Sequence, residues 1–155
     1  MKESPRDKSI RDDLAEGQWS VEGFLGSDTR TLEQIIRADA VTLQSLNVTA
    51  EALGQAMRRL TREGMAGLGD PVETRGYEIM VDEWKGLILC PFKDQRRAAK
   101  RLTVVRRLSD NKEFRWSDLS IHLIEDHGFF QGIGSTYRIE PQEIIDFLGL
   151  SGSAD

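Results

Sequence analysis

The chain has 155 residues, a formal net charge of −5, 39% hydrophobic and 30% charged residues, and a single cysteine. That composition fits one globular domain able to bury about two-thirds of its unfolded surface, and it excludes a low-complexity or disordered chain. No apolar run approaches the roughly 18 residues of a membrane span. The opening Met1–Lys8 lacks the apolar stretch of a secretory signal, and Cys90 has no disulfide partner in the chain, so a reducing cytoplasm is the expected setting.

Residues 1–16 are charged in both signs and poor in apolar side chains, which predicts a frayed arm. Gly17 to Gly26 carries Trp19, Val21, Phe24 and Leu25 and reads as a loop or short segment docked on the core. The main domain is expected over 17–150, with a helical part at 28–66, a strand-rich part at 76–150, and a disordered tail at 151–155. Asp28 or Thr29 is a candidate cap for a first helix, in which Leu32, Ile35 and Ile36 and then Val41, Leu43 and Leu46 recur at helical spacing. Thr49 caps a second helix with Leu53, Met57 and Leu60 on one face and Arg58, Arg59 and Arg62 in its C-terminal half. Gly64, Gly67, Gly69 and Asp70-Pro71 then close the helical half.

Beyond Pro71 the hydrophobic period changes to two. Tyr77, Ile79 and Val81 alternate with polar positions, and Glu83–Gly86 reads as a turn into Leu87–Cys90, predicting a hairpin. A second hairpin is expected from Leu102 to Leu108 and back through Phe114 and Trp116. Ser117 caps a helix running to His127, with Gly128 at its C′ position. Tyr137–Ile139 reads as a short strand, and Pro141 opens a last helix that Gly149 stops. The expected class is therefore α+β: two to three N-terminal helices packed on a small antiparallel sheet of two hairpins, followed by two further helices.

Charge is unevenly spread. Between Lys93 and Arg107 seven cations face Asp94 alone, a local net charge of +6. Lys93, Arg96, Arg97, Lys100 and Arg101 are the candidate anion-binding residues, with nucleic acid or another acidic partner as the ligand class. A solvated hairpin flank is the alternative reading of the same run.

Reactive side chains concentrate in the C-terminal half as Cys90, Asp118, His122, Glu125, Asp126 and His127. Asp118 and His122 stand four apart on one helix, a spacing that lets a carboxylate orient an imidazole for acid–base work. Cys90 sits at a strand end, so a catalytic Cys90/His122/Asp118 set is one reading, and an exposed ion pair beside a buried thiol is the other. His127, at the helix end, is expected to serve the terminal carbonyls. No cofactor is expected: a structural zinc site lacks a second cysteine, and a catalytic zinc with mixed ligands, the alternative, has no His-Glu-x-x-His. Residues five apart point about 140° apart around a helix, so the two histidines meet one ion only if the helix ends between them. The glycines of 128–136 follow a helix and precede a strand, the reverse of a phosphate cradle, which leaves a mobile loop or lid.

Thr42 to Met65, with its Val48-Thr49 turn and closing Leu60-x-x-x-Gly64, resembles the helix-turn-helix segment of winged-helix regulators. The resemblance implies that Ala50 to Arg62 is a groove helix with Gln55, Arg58 and Arg59 facing DNA. Two features depart from it: the would-be wing carries Asp82 and Glu83, where phosphate contacts need cations, and the link from Gly64 to Tyr77 is long. A plain helical hairpin against the sheet is the competing reading. The working expectation is a non-enzymatic binding or accessory domain, the alternatives being a small enzyme using Cys90 or Asp118–His122, or a winged-helix-like regulator.

Overall fold

The computed structural model describes residues 24–150. The expected arm at 1–16, most of the docking segment at 17–26, and the tail at 151–155 lie outside these residues. The elements run α1 (Leu32–Ser45), α2 (Ala50–Met65), β1 (Val72–Thr74), β2 (Tyr77–Leu89), β3 (Arg97–Arg107), β4 (Glu113–Ser117), α3 (Asp118–His127) and α4 (Pro141–Leu148). The strands form an antiparallel meander in the order β1-β2-β3-β4, so the class is α+β as expected. No helix among the described residues is long and apolar enough to cross a membrane.

Local chemistry sets the helix ends. Thr31 caps α1 with a full capping box: its hydroxyl accepts from the Gln34 amide, and the Gln34 side chain accepts from the Thr31 amide. The start therefore lies two to three residues beyond the expected Asp28 or Thr29. Asp28 has another task, binding Arg30 and accepting from the Ile133 amide across the loop. Thr49 and Ser117 cap α2 and α3, and Gly128 and Gly149 end α3 and α4 in the left-handed conformation.

The first expected hairpin turn does not form. β2 continues through Glu83–Gly86 as one 13-residue strand, with a register shift between Trp84 and Leu87. Gly86, at φ 105°, absorbs this bulge rather than a turn. The two extra residues, Lys85 and Gly86, leave the side-chain alternation unchanged, with Trp84 and Ile88 on one face. Burial passes instead from Ile79 and Val81 on the first face to Ile88 and Cys90 on the second, and Leu87 and Leu89 stay exposed. The chain reverses instead over residues 90–96. Tyr137–Ile139 is likewise not a strand. It is held mainly by side chains, with the Arg138 guanidinium bridging both oxygens of Asp39 at 2.9 Å and donating to the Gln131 carbonyl.

Two core clusters result. In one, Leu53, Met57 and Leu60 of α2 pack on Ile79, Val81, Val105 and Trp116 of one sheet face. Gly64 permits the approach, because a Cβ there would overlap the Ile79 and Val81 methyls. Trp116 Nε1 donates to the Thr61 hydroxyl at 2.9 Å, and Thr61 and Thr103 share a hydrogen bond, so the polar atoms buried under α2 are satisfied. In the other, Ile88, Cys90, Ala98 and Leu102 meet Leu119, Leu123 and Phe129. Thus α3 packs against β3 and contributes to both clusters, and its C-terminal end comes to rest over the 90–96 reversal.

Candidate metal centre

Two segments build the site. Cys90 directly follows β2, 4% exposed, on the sheet face that Ile88 and Trp84 share and that Leu119 and Leu123 of α3 cover. The chain then turns through Lys93 and Gln95, both with positive φ (59° and 66°), which bracket Asp94. The Arg96 amide donates to Asp94 Oδ1 at 2.9 Å and so fixes the carboxylate with Oδ2 turned toward α3. The second segment is the last two turns of α3, carrying His122 and His127.

Both imidazoles present Nε2 to the same oxygen. His122 Nε2 lies 2.8 Å and His127 Nε2 2.7 Å from Asp94 Oδ2. Cys90 Sγ lies 3.6 Å from His127 Nε2, and one donor atom from each of the four residues falls within 4.8 Å of every other. The His127 ring stacks on Phe92 at 4.2 Å and meets the His122 ring edge-on at 5.2 Å. The helical-wheel argument against two histidines on one ion therefore fails here. It treats side chains as spokes, whereas imidazoles leaning from positions five apart reach a shared point outside the helix, beneath the turn that carries Asp94.

The electrostatics follow from this convergence. Burial opposes ionisation of Asp94, but the Arg96 amide and its contacts with His127, His122 and Cys90 together hold its carboxyl well below the usual range. Burial pushes the Cys90 thiol up, and the Asp94 and Asp126 carboxylates add to that. Such a thiol is not activated as a nucleophile; a bound cation would reverse the balance and favour the thiolate.

The expected catalytic set does not assemble as foreseen. Cys90 and His122 reach the cluster, whereas Asp118 turns away: its Oδ2 accepts from Arg101 at 2.7 Å, and burial raises its pKa against that pairing. His122 is flanked instead by Asp126, one turn later, with Nδ1 3.2 Å from Oδ2. Nor do Cys90, His127 and Asp94 make a relay. A relay needs the acid and the nucleophile on opposite ring nitrogens, and here both approach Nε2 of His127. Several donors meeting at one point is the geometry of ligands.

The basic run is largely matched by acids. Arg101 pairs with Glu83 and Asp118, Arg96 with Asp126 at 3.6 Å, Arg106 with Glu78, and Arg107 with Asp110. Lys93 is exposed in the turn, and Lys100 lies along Gly86 opposite Trp84. Arg96 and Arg97 line a polar groove of about 340 Å³ with Arg58, Asp118, Glu125 and the outer side of His122. The Arg58 guanidinium donates to Glu125 at 2.8 Å, and Arg59 pairs with Glu63.

Asp94 and the place of His127 in this cluster are what the sequence reading missed. A signal was available in the spacing Cys90-x₃-Asp94 … His122-x₄-His127, which follows the pairwise spacing of tetrahedral zinc sites with aspartate in place of one cysteine. No family model, curated protein or solved structure matches this chain.

Proposed function

We propose that this chain is a non-enzymatic binding domain whose ligand is a divalent transition ion, best fitted by zinc, held by Cys90, Asp94, His122 and His127. The observation that carries this reading is the convergence of four donor atoms within 4.8 Å, with both imidazoles offering the same nitrogen. An ion bonded at 2.0–2.3 Å to a tetrahedral N/O/S set holds its donors about 3.3–3.8 Å apart. The Cys90–His127 separation of 3.6 Å already matches such an edge. The two His–Asp94 separations are hydrogen-bond lengths and would open by about 0.5 Å on loading.

One soft thiolate, two imidazoles and one carboxylate favour zinc over calcium, magnesium or manganese. Four protein donors also leave no open position, which is the pattern of a structural site rather than a catalytic one. The ion would tie the 90–96 reversal to the C-terminal end of α3, linking two elements far apart in sequence. A cytoplasmic, reducing setting suits this reading because Cys90 must stay unoxidised to ligate.

Calorimetric titration of the chelator-treated protein with zinc tests the proposal. One equivalent should bind, raising the melting temperature, and Asp94→Ala, His122→Ala and His127→Ala should each weaken binding. Absence of saturable binding at a 1:1 ratio would rule the reading out.

A further inference from the structure

Resting on the metal reading, we propose that Asp126 is the positioning residue of the centre, fixing the tautomer in which His122 offers Nε2 to the ion. Asp126 lies four residues after His122 on α3, with Oδ2 3.2 Å from the ring's Nδ1, while Nε2 faces the Cys90–Asp94 turn. A ligating imidazole carries its proton on the nitrogen remote from the ion, and a carboxylate facing that nitrogen selects the tautomer and raises ligand basicity.

The competing carboxylate is excluded by its own contacts. Asp118, four residues before His122, is committed to Arg101. Asp126 is itself held from the turn side: Arg96 reaches its Oδ2 at 3.6 Å with its guanidinium, while the Arg96 backbone amide fixes Asp94. One residue of the turn thus touches a ligand through its main chain and the residue behind a second ligand through its side chain. His127 is oriented differently, by stacking on Phe92, so the two histidines should respond differently to loss of a carboxylate.

The test is a cobalt titration of the full chain, wild type against Asp126→Ala and Asp126→Asn, with the d–d absorption bands as readout. A long-range ¹⁵N spectrum of the metal-free proteins reports the tautomer of each histidine, since in the loaded protein the ion on Nε2 itself keeps the proton on Nδ1. Asp126→Ala is expected to bind cobalt about 10- to 100-fold more weakly and to lose the fixed Nδ1–H signature of His122, with that of His127 unchanged. Asp126→Asn keeps an acceptor without the charge and should fall between. It also serves as the readable variant should the alanine protein not fold. Affinity within twofold of wild type in both variants, with the His122 tautomer intact, would overturn this inference and leave the metal centre standing. A wild-type protein that binds no cobalt and no zinc would overturn both.

Discussion

The sulfur of Cys90 lies 3.6 Å from Nε2 of His127, although 37 residues separate them in the chain. Asp94 Oδ2 approaches that same nitrogen at 2.7 Å. This shared nitrogen argues against a relay, which would use both ring nitrogens, and supports the proposed metal site, which would use one.

Cys90 should accordingly behave as a protected ligand. In the metal-free folded protein its alkylation is expected to be slow, because the thiol is buried and its ionisation disfavoured. Zinc should suppress the remaining reaction, and Cys90→Ser should weaken zinc binding while leaving the fold intact. Mass spectrometry of the alkylated protein follows both; rapid labelling that zinc does not slow would point back to a reactive nucleophile.

Gly64→Ala is expected to destabilise the protein even though alanine is the better helix former. The propensity gain is about 1 kcal/mol, whereas forcing a methyl into a packed contact costs about 1–3 kcal/mol. The added Cβ would meet the branched methyls of Ile79 and Val81, which have no room to swing away inside the core. Urea unfolding measures the balance, and a stabilised Gly64→Ala protein would mean that α2 does not sit this close to β2.

The order of these elements was readable because their punctuation is local. Thr49, Ser117, Gly128, Pro141 and Gly149 act within one helical turn, and the structure uses each as a cap, an opening or a stop. The β2 bulge was not readable, since Glu83–Gly86 has turn composition and only pairing with β3 shows that Gly86 serves a continuing strand. The site was partly readable: Cys90 and His122 stood out by residue type. Asp94 was hidden as the lone acid in a basic run, and it acquires its role only when the displaced turn folds over α3.

Arg138 joins α1 to the segment before α4 through a buried pair with Asp39, the two side chains 8% and 7% exposed. Arg138→Met leaves the Asp39 carboxylate buried without its cation and should cost about 3–5 kcal/mol. An Asp39→Leu/Arg138→Met double variant should recover much of that loss. Thermal unfolding of the four proteins of this cycle checks the coupling; additive losses would contradict it.

At the β3–β4 turn, the hydrogen bond from Arg107, helped by the Lys112 amide, lowers the Asp110 pKa from 3.8 to about 2. A carboxyl depressed in the folded state stabilises the protein above its unfolded pKa and loses that contribution as pH falls through the folded value. The stability gap between wild type and Asp110→Asn should therefore be present at neutral pH and shrink between about pH 4 and pH 2. The Asp110 carboxyl ¹³C shift should titrate near the lower limit, and a midpoint near 3.8 would show that Arg107 does not hold it.

X-ray absorption at the zinc edge of the purified, zinc-loaded protein bears most directly on the central claim. The expected first shell is one sulfur at about 2.3 Å and three nitrogen or oxygen atoms at about 2.0 Å, with the sulfur lost in Cys90→Ser. A six-coordinate shell of oxygens alone, or a spectrum unchanged by Cys90→Ser, would contradict the assignment of Cys90, Asp94, His122 and His127 as one centre.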